Sequence, residues 1–297
     1  RRAQRYYKRF AELHTKTDIQ TFRTKSALSE VQAELAKLSA PRSTTARKSA
    51  SKGKLATLSL GGGTRVKLVK IPAGRFVMSS PESEKARLPR EGVQRVVTIS
   101  KPFYMGVTEI TQRQWSAVMS SEPWAGRKGV QAAPNNAASY ISRNDALAFC
   151  GRLSKTCGKT ITLPTEAQWE YACRAGSKTA FCFGNDPSKL GDFAWFGLNS
   201  KTTESYPHAA GQKKTNAWGL YNMHGNVYEW CLDYYDEDYY ATAKNVDPQG
   251  PDTGRAHVVR GGSFKEISNW CRSSHRHMYR HLERKAGVGF RIVIVAN

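Results

Sequence analysis

Near the start of the chain, apolar residues recur every three to four positions among charged ones, which is the spacing of an amphipathic helix. Two such stretches precede residue 40, carried by Tyr6, Phe10 and Leu13 and then by Leu28, Val31, Leu35 and Leu38. Residues 41–54 contain no large apolar residue. The pattern therefore predicts a helical arm and a solvated tether over residues 1–54, followed by a folded domain over residues 55–297.

From residue 55 onward, alternating apolar and polar positions with frequent turn residues indicate strands over 66–78, 96–111 and 288–295. Three helices are predicted from their N-caps: Thr111 before 112–119, Ser142 before 144–154 and Thr165 before 166–174. Beyond Gly176 the chain is rich in turns for about a hundred residues. The domain should therefore mix helices and strands with much irregular structure.

The composition shows a globular and strongly basic chain. Apolar residues make up 39% and aromatic residues 10% of 297 positions, and the net charge is +22. Residues 1–54 hold 14 basic and 4 acidic side chains. Such a charge favours a polyanionic partner. No apolar run is long enough for a membrane helix, so we expect no membrane span.

Seven segments together resemble the formylglycine-generating enzyme, or sulfatase-modifying factor, family, in the family's order and spacing. They are IPAGRFVMSSPESE (71–84), FYMGVTEITQRQW (103–115), DALAFCGRLS (145–154), LPTEAQWEYACRAG (163–176), NAWGLYNMHGNVYEW (216–230), VVRGGSF (258–264) and VGFRIV (288–293). The resemblance implies an α+β, C-type-lectin-like fold with little regular secondary structure. The basic arm lies outside it.

The family's active enzymes resemble one another in two cysteines just after the GGS turn, which bind copper as thiolates. By the resemblance, the first cysteine falls on Glu266 and the second on Cys271. A carboxylate is a hard ligand and a poor substitute for a thiolate on Cu(I). We therefore expect no copper, a degenerate site at Glu266 and Cys271, and a chain that is not an enzyme.

Two other metal sites can be weighed from the sequence. His275 and His277 would share one face of a strand, but arginines surround them, which disfavours a metal. The resemblance also implies a calcium loop, with ligands from the side chains of Asn222 and Glu229 and the carbonyls of Gly225 and Val227. The alternative is a turn held by Glu229 hydrogen-bonded to backbone amides.

The six cysteines bear on the compartment. In secreted members of the family, the resemblance implies that cysteines matching Cys150 and Cys173 pair with partners that fall here on Ile292 and Arg276. Without these partners, free thiols and a reducing compartment are expected, either the mitochondrial matrix or the cytosol.

Basic residues interleaved with aromatic ones suggest contact with RNA. The candidate nucleic-acid-binding residues are Arg1, Arg2, Arg5, Lys8, Arg9, Arg47, Lys48, Lys52, Lys54, Arg272, Arg276 and Arg280. The sequence therefore predicts an inactive subunit that contacts RNA and protein subunits in a large assembly, preferably a mitochondrial ribonucleoprotein such as the ribosome, with no small-molecule substrate. The alternatives are a retroelement-diversified ligand-binding protein, whose variable face would be residues 264–285, and an oxidoreductase that acts on protein cysteine.

Overall fold

The structure is a computed structural model, and it describes residues 54–197, 199 and 205–295. The predicted helical arm and eight of its candidate RNA-binding residues, from Arg1 to Lys52, lie outside the described residues. Lys54 is the first described residue and is exposed. The domain boundary at residue 55 stays a prediction.

Eleven short strands occur in the described part of the chain. They are β1 (Leu55–Gly61), β2 (Thr64–Ile71), β3 (Gly74–Met78), β4 (Arg95–Ile99), β5 (Phe103–Gly106), β6 (Ile161–Thr162), β7 (Tyr228–Tyr234), β8 (His257–Arg260), β9 (Arg276–Tyr279), β10 (Val288–Gly289) and β11 (Val293–Val295).

The strands form three sheets. An antiparallel sheet has the order β1-β2-β5-β11-β6, and β3 pairs with β4 in a separate hairpin. The third sheet has the order β10-β7-β8-β9, with β10 parallel to β7 and the other pairs antiparallel. This four-stranded sheet brings residues 228 and 275–279 to one place.

Five α-helices accompany the sheets: α1 (Gln112–Met119), α2 (Arg143–Cys157), α3 (Glu166–Arg174), α4 (Leu190–Phe193) and α5 (Tyr239–Thr242). The three predicted helices are confirmed, and Thr111, Ser142 and Thr165 each close a capping box. Helix α3 is buried along most of its length because it packs against β3, β4, β7 and β8. Within the described ranges, no helix is long and apolar enough to cross a membrane.

The core lies between the sheets and the longer helices. Trp115 of α1 stacks on Phe149 of α2 at 5.6 Å, and Phe290 packs edge-on against both rings. The predicted strand 288–295 is divided, because Phe290 turns into this core and Arg291 turns towards Glu229. Its two halves therefore join different sheets, β10 in the four-stranded sheet and β11 in the five-stranded one.

Candidate active site

A glycine turn after β8 shapes the candidate site. Gly261 and Gly262 have φ angles of 98° and 77°, as their sequence predicted. A Cβ on Gly262 would lie 2.7 Å from the sulfur of Cys271 and 3.0 Å from the carbonyl oxygen of Trp270. Glycine at this position therefore allows the turn to lie directly against the 3-10 turn Ser268–Cys271.

The two residues at the family's cysteine positions differ in exposure and charge. Glu266 is partly buried, and burial raises the pKa of its carboxyl group; the Ser263 hydroxyl donates to it at 3.5 Å. Cys271 is fully buried, and its burial together with the nearby Glu266 charge raises the pKa of its thiol. The site therefore holds a neutral thiol beside a carboxyl group that binds its proton more tightly than usual.

These two groups do not fit Cu(I) as the family's thiolate pair would. Copper in that state is soft and prefers deprotonated sulfur, whereas Cys271 resists deprotonation and Glu266 offers hard oxygen. No reaction step is assigned to copper in this chain.

An aromatic and imidazole wall surrounds the pair. The Tyr228 ring of β7 lies 5.6 Å from the ring of His277, 6.4 Å from that of His275 and 6.4 Å from that of Tyr279. Trp270 stacks on His275 at 5.9 Å with an interplanar angle of 5°. Burial, and the charge of the nearby Glu266 as a second cause, raise the pKa of the Tyr228 hydroxyl. These side chains therefore form one cluster with Glu266 and Cys271, which we call the Tyr228 pocket.

Several polar atoms of this pocket are buried without a hydrogen-bond partner among the residues that the structure describes. They are the Tyr228 hydroxyl, both ring nitrogens of His275 and Nε of Arg90. Burial, with the Arg90 charge as a second cause, lowers the pKa of His275 to about 3, so its ring is neutral. Unpaired buried polar groups and shifted pKa values together are typical of functional sites.

Two arginines predicted to bind nucleic acid are instead buried in ion pairs close to this pocket. Arg272 is 2% exposed; it pairs with Glu84 at 2.5 Å and with Glu91. Arg276 is 0% exposed and binds Glu166 through two hydrogen bonds of 2.7 and 2.9 Å. The nucleic-acid prediction is therefore wrong for both, because their guanidinium groups face buried carboxylates. Arg280 is exposed, and its role stays a prediction.

In the predicted calcium loop, side chains bind the Glu229 carboxylate, whereas the turn alternative expected backbone amides to do so. The Glu229 carboxylate accepts hydrogen bonds from Arg291 at 2.6 and 2.7 Å and from the Trp169 ring at 2.7 Å. The turn alternative is wrong, because these donors are side chains and not backbone amides. Oδ1 of Asn222 is buried without a hydrogen-bond partner in the described part of the chain, which fits an oxygen-bound cation.

The calcium ligands predicted from the sequence are Asn222, Glu229 and the carbonyls of Gly225 and Val227, and this stays a prediction; in the structure Arg291 already binds both carboxylate oxygens of Glu229, which does not favour a cation there. Across the described ranges, no three His, Cys, Asp or Glu residues form a group that could hold a metal ion. His275 and His277 thus flank Tyr228 without a third such ligand. All six cysteines are free thiols. The compartment stays a prediction.

Residues 62–296 match the sulfatase-modifying factor enzyme 1-like domain. The chain belongs to this family. Among curated relatives, the formylglycine-generating enzyme of Thermomonospora curvata is 33% identical over 262 residues, covering 69% of this chain and 84% of the relative. That of Streptomyces coelicolor is 28% identical over 266 residues, covering 68% and 80%.

Solved structures agree on the architecture. PvdO from Pseudomonas aeruginosa has a TM-score of 0.72 at 26% identity, covering 81% of this chain and 98% of that one. The Treponema denticola variable protein 1 has a TM-score of 0.71 at 24% identity, with the same coverage, and shows the fold alone. The predicted α+β, lectin-like fold of the formylglycine-generating enzyme type is confirmed.

These relatives correct one expectation. The prediction that the chain is not an enzyme is contradicted, because relatives that align over more than two thirds of it are named as enzymes. Glu266 in place of a cysteine changes the donor atoms of the site, and that change alone does not show a loss of activity.

Sequence reasoning missed two main components of the pocket. Tyr228 stands inside the NVYEW segment, so its position next to Glu229 was a usable signal. Arg90 lies in the short 3-10 turn Pro89–Glu91, which carries no distinguishing sequence pattern, and only the folded chain brings it near β9.

Proposed function

We propose that this chain is an enzyme of the sulfatase-modifying factor family, that its reaction centre is the pocket around Glu266, and that its substrate is a cysteine side chain on a peptide. The enzyme class and the substrate follow the name of its relatives. The observation that carries the proposal is the position of Glu266, half-buried beside buried and unpaired polar atoms at the family's reaction centre.

In this proposal Glu266 accepts the proton of the substrate thiol. Burial raises the pKa of this carboxyl group, so the pKa lies closer to 7 than that of a free glutamate. A base whose pKa is close to the working pH transfers protons more efficiently. The Ser263 hydroxyl holds the carboxylate in place. Cys271 is fully buried near Glu266 and stays a neutral thiol.

The test is turnover of a cysteine-containing sulfatase-type peptide, followed by mass spectrometry. Glu266→Gln should lower the rate by about a hundredfold or more, the contribution of a positioned general base. Glu122→Gln is the control, because it makes the same change at an exposed glutamate in the turn after α1, which is not part of the pocket. Equal rates in wild type and Glu266→Gln would contradict the proposal.

A second candidate, RNA contact within a large assembly such as a mitochondrial ribonucleoprotein, is favoured by the net charge of +22. It rests on the charges of residues 1–54 and exposed cations such as Arg280, because Arg272 and Arg276 are buried. If the arm neutralises about six phosphates of a single strand, RNA affinity should fall a few hundredfold from about 50 to 200 mM salt. A chain lacking residues 1–54 that binds RNA equally well would contradict it.

A further inference from the structure

A groove opens on one face of the five-stranded sheet, beside the end of helix α2. Its volume is about 360 Å³. Ala56 of β1, Leu68 of β2, Tyr104 of β5 and Ile294 of β11 line it from the sheet, and residues 158–160 line it from the turn after α2. We call this space the sheet groove. Its lining from the sheet is apolar, so an apolar segment that filled it would leave water.

Three exposed lysines stand around the sheet groove. Lys159 is one of its lining residues. Lys54 precedes Ala56 by two residues, and its carbonyl oxygen accepts a hydrogen bond from the Lys70 amide at 3.0 Å. Lys70 follows Leu68 by two residues in β2. Side chains two residues apart share a face of a strand, so both lysines lie on the face that carries the groove. The apolar lining therefore has positive charges at its rim.

The arm contains a segment with the complementary pattern. This segment, residues 27–39, lies outside the described residues, and its sequence predicts an amphipathic helix. Its apolar stripe consists of Leu28, Val31, Leu35 and Leu38. Glu30 and Glu34 lie on one side of that stripe, one helical turn apart. The segment thus offers negative charges beside an apolar face.

The charge of this segment also differs from that of the rest of the arm. Residues 27–39 hold two of the arm's four acidic side chains but one of its 14 basic ones. The arm's candidate RNA-binding residues all lie before or after this segment. An acidic segment within a basic arm is unsuited to a polyanion and suited to a groove with a lysine rim.

The segment and the sheet groove match in length. The groove crosses four neighbouring strands, β1, β2, β5 and β11, which is about 14 Å at the usual spacing of about 4.8 Å. A helix from Leu28 to Leu38 is about 15 Å long at 1.5 Å per residue. So short a helix is marginal in water and needs an apolar surface to pack against.

The segment can reach the sheet groove from its place in the chain. Residues 40–53 connect it to Lys54, at the edge of the groove. A coil of that length has a root-mean-square end-to-end distance of about 20 Å. The segment is then present at an effective concentration on the order of 1 mM, at which even a weak contact forms.

We propose that residues 27–39 of this chain bind in the sheet groove as an amphipathic helix. The apolar stripe packs on the apolar lining, and Glu30 and Glu34 face the lysine rim. The basic residues on either side of the segment stay outside the groove. This inference is independent of the reaction proposed at Glu266.

Hydrogen–deuterium exchange of the full 297-residue chain, measured by mass spectrometry, tests the inference. We expect the amides of residues 31–39 to exchange at least tenfold more slowly than in an unstructured chain of the same sequence. Leu35→Glu places a charge in the apolar stripe and should remove this protection. Ala33→Glu is the matched control, because it adds the same charge on the opposite side of the predicted helix and should change the protection less than twofold.

A second pair of variants tests the groove itself. Ala56→Phe fills the space next to β1 and should lower the protection of residues 31–39 at least fivefold. Ser59→Phe is its control, because Ser59 is exposed on the opposite face of β1 and does not line the groove. This control should leave the protection within twofold of wild type.

Fast exchange of residues 31–39 in wild type would overturn the inference. So would unchanged protection in Leu35→Glu or in Ala56→Phe, or equal effects of either variant and its control. Protection that rises with protein concentration would also overturn it, because the segment of a second copy would then occupy the groove.

Discussion

The two sides of the segment from Arg260 to Tyr279 differ in how completely their polar groups are paired. On one side, Arg260 and Arg276 form ion pairs with Glu166 and Glu170, so each buried charge there faces an opposite charge, and Nε of Arg260 is the one guanidinium atom of the two arginines that is buried without a hydrogen-bond partner among the described residues. On the other side, Tyr228 and His275 present buried polar atoms with no partner in the described part of the chain.

This difference separates scaffold from site. Buried charges that face opposite charges hold elements together, and removing one partner leaves an uncompensated charge. Buried polar atoms that are left unpaired do not stabilise the fold, so a role in binding or catalysis is the better explanation. The segment from Arg260 to Tyr279 therefore serves both purposes, from opposite faces of β8 and β9.

The largest expected effect comes from breaking the paired side. Arg260 is 0% exposed and binds Glu166 at 3.1 Å and Glu170 at 2.5 Å, so Arg260→Met should lower the free energy of unfolding by about 3–5 kcal/mol. Urea denaturation measures this. Arg280→Met, at an exposed position, should change it by less than about 0.5 kcal/mol. Equal losses would show that the network does not stabilise the fold.

The second-largest effect is expected from acid, which should weaken the ion pair between Glu91 and Arg272. Burial would raise the pKa of Glu91, but the hydrogen bond and charge of Arg272 outweigh it and hold the pKa at about 2. Because this pKa is depressed in the folded state, the stabilisation is present above about pH 4.5 and is lost as the pH falls towards 2.

The pair should therefore contribute about 3 kcal/mol that disappears across this range. Urea midpoints of wild type and Glu91→Gln at several pH values isolate the contribution. Parallel pH curves for the two proteins would contradict the depressed pKa.

Whether the sequence predicts a feature of either side depends on how far apart along the chain the interacting residues lie. Helices α1 and α3 were predictable because their caps lie within three residues of the groups they bind. The burial of Arg272 was not, because its partners Glu84 and Glu91 lie more than 180 residues away along the chain. Charged residues are usually exposed, so an isolated arginine in a sequence suggests surface and not core.

The turn at Gly261 and Gly262 connects the paired side to the unpaired side. A substitution in this turn should lower the free energy of unfolding by less than the loss of Arg260. Gly262→Ala combines a positive φ with a contact of 2.7 Å on the Cys271 sulfur, so it should cost about 1–3 kcal/mol. Gly219→Ala is the matched control, with φ of 87° and nothing within 4 Å of the added Cβ. Thermal unfolding should show a larger loss for Gly262→Ala, and an equal loss would show that the contact with Cys271 is unimportant.

The smallest effect is expected on the unpaired side. Tyr228→Phe removes a buried hydroxyl that has no partner among the described residues, so stability should be unchanged or higher by up to about 1 kcal/mol. Chemical denaturation decides this. A loss of more than about 1 kcal/mol would show that the hydroxyl is part of the scaffold.

The central claim is that the site works with a carboxylate where the family's thiolate pair would hold copper, and Cu(I) titration against a competing chelator tests it most directly. Wild type should release Cu(I) to the chelator, whereas Glu266→Cys, which adds a second sulfur ligand near Cys271, should retain about one Cu(I) per chain. Retention of one Cu(I) by wild type, lost in Cys271→Ser, would contradict the account.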